Sequence, residues 1–427
     1  MIPIKTFVPR IQKLLSDQFI RNAGWTGGGE LLNRVFRLVT TVTLARVFSS
    51  YDYGLIAIIY TVNEFASVFT LKYGIGAKII QAEEEKLATI CNTAYWLNWI
   101  LCITIFLIQL IGAFPIAMFY GDRNLILPLC VAAIAYLMHP FFLVQISLIQ
   151  RENRLKVTAM CTASQSFISN ILTAALAIAG AGIWAVVIPM VVVNPVWIVA
   201  GYRCHSWRPT GKFSLDGWQD IAKFGGSILG VELLNKLRGN LDYLLVGRFL
   251  GVEALGLYFF AFNAGLGISL NVLSALIGSL FPHLCEVRGS YQKLRDRYMR
   301  SLRVIATILT PVIVLQSSLS PFYVPIVFGE KWIPAVPILI MICLSALPRA
   351  FAMASASLMD SVGKAHITLM FDLVFTVVFA IVLLIAIQFG IYWVAASVLI
   401  SHAIVLPIYS IAATRYVFSK TYNLSSS

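Results

Sequence analysis

Stretches of roughly 20 residues with almost no charge recur from one end of this sequence to the other, and that recurrence leaves few folds open. A hydrocarbon core offers no water to backbone N–H and C=O groups, so a crossing segment must satisfy them itself. A helix spanning a ~30 Å core needs about 20 apolar residues, which is the length of the runs seen here. Composition agrees: 59% of residues are hydrophobic and 12% charged, against about 25% charged in soluble domains. No polar block is long enough for a separate soluble domain. The chain therefore reads as an all-α polytopic membrane protein.

Twelve membrane helices are expected, at about 22–47, 54–74, 88–113, 124–149, 157–179, 183–202, 222–248, 255–282, 299–319, 333–359, 366–389 and 392–414. The polar or Gly-containing turns "SSYDYG", "FYGDRN", "QRENRLK", "AGAG", "FGEKW" and "QFG" separate them. Residues 1–21 interleave charges with Ile11, Leu14, Leu15 and Phe19 and lack a continuous apolar core, which suits an amphipathic surface helix better than a signal peptide. The lysines and arginines test this count. One set of alternate loops holds only Arg46, Arg123, Arg248 and Lys331, and five cations lie within helices. The remaining 23 of the 32 fall in the other loops and the termini. Both termini are then cytoplasmic, in the inner (cell) membrane. The net charge of +13 is a topology signal, and no nucleic-acid partner is expected.

The sequence repeats. At an offset of 202, Glu30-Leu31-Leu32-Asn33 falls on Glu232-Leu233-Leu234-Asn235, Arg34 on Lys236, Arg46 on Arg248 and Gly54-Leu55 on Gly256-Leu257. At 208, Gly121-Asp122-Arg123 meets Gly329-Glu330-Lys331, Pro140 meets Pro348 and Lys156 meets Lys364. Each unit carries six helices, an even number, so the two are parallel repeats with a site expected between them near the midplane. The resulting organisation is a 1–21 cytoplasmic segment, an N-lobe at 22–202, a cytoplasmic linker at 203–221, a C-lobe at 222–414 and a cytoplasmic tail at 415–427.

Charges inside the predicted helices are the candidate working parts, because each costs roughly 2.5–3.5 kcal/mol at the bilayer centre. Glu30, Arg34 and Arg37 form a stripe at i, i+4 and i+7, and Glu232 and Lys236 repeat its beginning. With Asn33 and Asn235 they are expected to line a shared transport cavity. Arg34, Arg37 and Lys236 suit recognition of a diphosphate or an acidic sugar; structural pairing with Glu30 and Glu232 is the competing reading. Glu64 and Asp372 are isolated intramembrane acids that could hold a coupling proton or sodium ion, or bond a neighbouring helix. Arg238 and Asp242, spaced i, i+4, are expected to neutralise each other. His139 and His402 read as structural, Pro140 and Pro348 as kinks, and the seven scattered cysteines as apolar fillers. No cofactor, metal or catalytic residue is expected.

"LARVFSSYDYGLIAI" (44–58), "DYLLVGRFLGVEALGLYFFAF" (242–262), "QRENRLK" (150–156) and "FGEKWIPAVPIL" (328–339) resemble the polysaccharide-transporter branch of the MOP flippase superfamily. The similarity runs from about residue 20 to 415 and is strongest to colanic-acid and teichuronic-acid type lipid-linked oligosaccharide exporters, although Ser50 stands where that family usually has proline. The resemblance implies two six-helix lobes and flipping of a polyprenyl-pyrophosphate-linked sugar unit by alternating access. It also implies membrane lipids, a glycan polymerase and export machinery as partners. A cation-coupled small-molecule exporter of the same superfamily is the alternative transporter. A membrane glycan polymerase or glycosyltransferase is the enzyme alternative; against it, the outer loops are short and no nucleotide-sugar or nucleophile–base constellation is present.

Overall fold

The computed structural model describes residues 36–419, so Glu30, Asn33, Arg34 and the amphipathic N-terminal segment lie outside the described residues. Among the described residues every regular element is helical. The first is α1 (36–47). It is followed by α2 (Ser50–Val68), α3 (Lys72–Gln81), α4 (Glu84–Tyr120), α5 (Ile126–Met138), α6 (Leu143–Arg151), α7 (Leu155–Ile178), α8 (Trp184–Val192) and α9 (Pro195–Cys204). The remainder are α10 (Trp218–Phe249), α11 (Val252–Ala264), α12 (Leu266–Cys285), α13 (Tyr291–Tyr323), α14 (Val336–Leu344), α15 (Ala346–Ser361), α16 (Ala365–Ala386) and α17 (Ile391–Phe418).

Eight helical segments among the described residues are long and apolar enough to cross a membrane: Glu84–Tyr120, Arg123–Phe141, Leu155–Ile178, Trp184–Cys204, Tyr291–Phe328, Glu330–Ser361, Ala365–Phe389 and Ile391–Phe418. They overlap eight of the twelve expected spans. Large apolar side chains such as Ile111, Ile178, Ile326 and Met370 stand exposed along them, as lipid contact requires. The protein is a multi-pass membrane protein. Of the four other expected spans, two are interrupted. The stretch at 54–74 ends at Val68 and turns through Leu71, at φ +51°, before α3 restarts. That at 255–282 breaks at Gly265 between α11 and α12.

The described chain divides into two compact units. One holds Ile59–Lys236 with the chain up to Val47; the other holds Phe48–Ile58 with the chain from Leu237 onward. The division falls inside α2 and α10.

In the first unit α4 packs along α5, while α3 packs on α6 and α4. Ile75, Ile79, Ala94, Leu97, Val144, Leu148 and Ile221 form a buried cluster there. Gly121, at φ +73°, ends α4 in the left-handed conformation that a side chain disfavours. Arg151 serves more than membrane topology. Its guanidinium donates to the carbonyls of Ile79, Ile80 and Ala82 at 2.5–3.1 Å and to Glu84 at 2.8 Å, closing the C-terminal end of α3. Arg151→Ala strands these acceptors and is expected to cost about 2–3 kcal/mol, read as a lowered thermal midpoint of purified protein.

The segment between α9 and α10 is an ordered strap. Trp96 Nε1 and Asn92 Nδ2 donate to the Lys212 carbonyl at 2.9 and 3.2 Å, and Thr93 Oγ1 donates to the Asp216 carbonyl at 2.8 Å. Arg154 ties the strap's start to the α6–α7 turn by donating to the Cys204 carbonyl at 2.9 Å and to Glu152 at 3.0 Å. The Arg154 hydrogen bond holds the Glu152 carboxyl below its ordinary range. Its stabilisation is therefore present at neutral pH and is lost as pH falls through that depressed value.

In the second unit α15 packs against α17 and α12. Trp332 is fully buried, stacked on Phe260 with centroids 4.0 Å apart and edge-on to Tyr53 at 4.8 Å. Beside this cluster the start of α2 crosses the start of α11. A Cβ at Gly54 would lie 1.9 Å from the Val252 carbonyl oxygen, and one at Gly256 would lie 1.7 Å from the Ser50 carbonyl oxygen. Ser50 and Gly54 are related to Val252 and Gly256 by the 202-residue offset, so the crossing is reciprocal. The GL dipeptides shared by the repeats thus mark a backbone-to-backbone contact.

The second offset needs local correction. In the α6–α7 turn Asn153 takes φ +56°, and in the α15–α16 turn Gly363 takes φ +74°. The following N–H groups, of Arg154 and Lys364, donate to the Ile149 and Met359 carbonyls. The structural offset here is 210, and the counterpart of Lys364 is Arg154 rather than Lys156. Basic side chains crowd this turn, which is why a two-residue slip still aligned like with like.

Candidate functional site

A cavity of about 300 Å³ opens in the first unit. Three pieces of chain build it. The end of α2 supplies Glu64, Ser67 and Val68, and the turn into α3 supplies Leu71, Lys72 and Gly74. One face of α10 supplies Gly225, Ile228, Leu229, Glu232 and Lys236, at the spacing that keeps side chains on one side of a helix. Glycine makes the approach possible: a Cβ at Gly74 would sit 2.6 Å from Gly225 Cα. Apolar walls from Val68, Leu71, Ile228 and Leu229 therefore enclose two lysines and two glutamates.

Lys236 Nζ donates to Glu64 Oε2 at 3.1 Å. The two side chains are 34% and 47% exposed, so this is an open pair reachable from the cavity. The competing reading of the sequence pairs Lys236 with Glu232, its neighbour one turn away, because local spacing is the only distance a sequence offers; the partner seen here, Glu64, lies 172 residues away. The arrangement offers an ammonium group whose counter-ion is displaceable. Lys72, at the turn into α3, also lines this cavity.

The other expected site residues are distributed as follows. Arg37 is exposed on α1, and Asn235 is exposed on α10, outside the cavity lining. Glu30, Asn33 and Arg34 lie outside the described residues. Asp372 belongs to the second unit, where it forms an ion pair with Arg238. That pairing corrects the expectation that Arg238 neutralises Asp242. Spacing of i, i+4 permits such a pair, but Asp242 is buried and accepts instead from the Tyr258 hydroxyl at 2.8 Å. Arg238 reaches across to α16. Nearby, Arg349 Nη2 lies 3.2 Å from His402 Nε2, and His402 Nδ1 lies 2.6 Å from the Val398 carbonyl. Both intramembrane acids singled out for ion coupling thus face cations on a single helix, α10. Among the described residues no group of three or more His, Cys, Asp or Glu side chains is placed to hold a metal ion.

Two solved structures share the fold. One is the lipid II flippase MurJ in an inward closed conformation, at TM-score 0.74 and 12% identity over 92% of this chain and 89% of that one. The other is a multidrug resistance MATE family transporter of the MOP superfamily in an inward-facing conformation, also at 0.74 and 12%, over 92% and 96%. At this identity the likeness shows the fold alone: a helical membrane protein built from the two repeats of the MOP architecture. Sequence relatives are closer. The teichuronic acid biosynthesis protein TuaB of Bacillus subtilis (strain 168) is 26% identical over 394 residues, covering 90% of this chain and 80% of that protein. The lipopolysaccharide biosynthesis protein WzxC of Escherichia coli (strain K12) is 25% identical over 369 residues, covering 84% and 73%. The family model described as polysaccharide biosynthesis protein matches residues 43–337, well over half of the sequence, and the chain belongs to that family.

Proposed function

We propose that this protein flips polyprenyl-diphosphate-linked oligosaccharide units across the inner membrane by alternating access, supplying surface polysaccharide assembly. Membership of the polysaccharide biosynthesis family over residues 43–337 is the observation that carries the reading. The cavity adds chemical sense: Lys236 and Lys72 can meet diphosphate oxygens, while Ser67 and the glutamates can accept or share hydrogen bonds with sugar hydroxyls. Both termini are cytoplasmic in this scheme, from the distribution of basic loops. The working partners are membrane lipids, a glycan polymerase and the export machinery, and the protein acts as a transporter rather than an enzyme. It needs no cofactor beyond a coupling proton or sodium ion. Outward movement of a diphosphate transfers about two negative charges, and a potential of 100 mV favours each by about 2.3 kcal/mol.

A small-molecule exporter is the second reading, favoured by the equal TM-scores to the flippase and to the multidrug transporter. Deleting the gene separates them. The flippase reading expects a lipid-linked oligosaccharide to accumulate on the cytoplasmic leaflet and to clear when the wild-type gene is returned. Heightened sensitivity to cationic drugs, with no lipid-linked glycan accumulating, would establish the exporter instead.

A further inference from the structure

We propose that His402 is a proton-binding site of the transport cycle, with Arg349 as the group that closes it. The juxtaposition of an arginine against a buried histidine inside the membrane is the starting point. His402 is 3% exposed, its ring set T-shaped to both Phe375 and Phe379 on α16 at centroid distances of 5.6 Å. A guanidinium only donates. With Arg349 Nη2 at 3.2 Å, His402 Nε2 must act as acceptor, so the ring proton sits on Nδ1 and is donated to the Val398 carbonyl at 2.6 Å. The ring is therefore neutral in this conformation, and its one vacant lone pair is covered by a cation.

A proton arriving at Nε2 would convert that contact into imidazolium against guanidinium. Arg349 must then change partner. The charged and titratable groups acting on the pair are Arg238, Asp242 and Tyr243 on α10 and Tyr258 on α11, with Asp372 on α16 one step away through Arg238. Asp372 is engaged by Arg238, which leaves Asp242, already within electrostatic reach of Arg349, as the receiving carboxylate. The two arrangements, Arg349 on neutral His402 or Arg349 drawn to Asp242 with His402 charged, form a two-state element. Asp242 sits on α10, the helix that also carries Glu232 and Lys236 of the cavity, so a change at Asp242 bears on the element that holds the substrate-facing lysine. This inference rests on the flippase reading and adds the ion that drives it.

The test uses full-length protein in vesicles containing a fluorescent polyprenyl-diphosphate oligosaccharide, with membrane potential clamped at zero. With the receiving side two pH units more acidic, one proton exchanged per cycle shifts the attainable transbilayer ratio by up to about 100-fold. Wild type is expected to show a large part of that shift. His402→Gln, which keeps an acceptor for Arg349 and a donor for Val398 but binds no proton, is expected to show a ratio unaffected by the gradient, whatever its rate of flipping. A gradient response retained in His402→Gln, or absent from wild type that flips normally, overturns the proposal and leaves the flippase reading standing. Absence of any flipping by wild type overturns the flippase reading itself. A second measurement does not depend on that variant. In 15N-histidine-labelled protein with the other four histidines replaced, His402 is expected as the neutral Nδ1–H tautomer. An Nε2–H tautomer would overturn the proposal, because Arg349 could not then donate to it.

Discussion

Gly54→Ala and Gly256→Ala are each expected to destabilise the protein by about 3 kcal/mol or more, with most of the folded material lost from detergent extracts. A single methyl group rarely does this on a helix surface. Here it would have to enter space already occupied by a backbone carbonyl, 1.9 Å away at Gly54 and 1.7 Å away at Gly256. A flexible side chain could swing aside, whereas a carbonyl at the start of a helix moves only if the helix moves. Parting α2 and α11 would also loosen the Ser50–Glu253 hydrogen bond, 3.0 Å long, and the Tyr53 edge packed on Trp332. Since each glycine faces the other repeat's carbonyl, both substitutions strain one crossing, and the double variant should fall short of the sum of the singles. Thermal midpoints from size-exclusion recovery check this. An unchanged midpoint for either single variant would show that the crossing yields without cost.

The glycines also show how far the sequence could be read. Their 202-residue spacing was visible, and so was the duplication; that the two copies touch each other was not, because a repeat offset carries no distance. The membrane class followed from apolar runs, which is a property of each segment alone. Interruptions were harder. The span expected at 54–74 is broken by Leu71 at φ +51°, a conformation leucine rarely takes and which no local pattern announces. Charged residues divide along the same line. That Glu64, Lys236, Asp372 and Arg238 need partners follows from the cost of placing a charge in hydrocarbon. Their pairing does not, since Glu64–Lys236 and Arg238–Asp372 join distant helices while the i, i+4 alternatives were the only ones spacing could offer. A lone histidine on an apolar helix likewise gives no hint of an arginine 53 residues earlier, so the His402–Arg349 contact is not legible in the sequence.

Lys236→Ala and Glu64→Gln are expected to act in opposite directions on diphosphate binding. As an open pair with both side chains roughly a third to a half exposed, Lys236–Glu64 contributes at most about 1 kcal/mol to folding. Either variant should therefore reach the membrane in normal amounts. Under the proposed function their effects on substrate differ, because the lysine would meet the diphosphate only by exchanging one anion for another. Losing Lys236 removes a charge-assisted hydrogen bond and should weaken binding of a short-chain prenyl diphosphate by roughly 10- to 100-fold, about 1.4 kcal/mol for each factor of ten. Losing the Glu64 charge removes the competing carboxylate and should tighten the same binding severalfold. Export would nonetheless slow, because a carboxylate that retakes Lys236 is what helps the diphosphate leave. Binding to purified protein by calorimetry, at fixed salt, gives both numbers. A pair that only joined α2 to α10 would respond alike to loss of either partner. Equal and modest weakening in the two variants would therefore remove Lys236 from the substrate site.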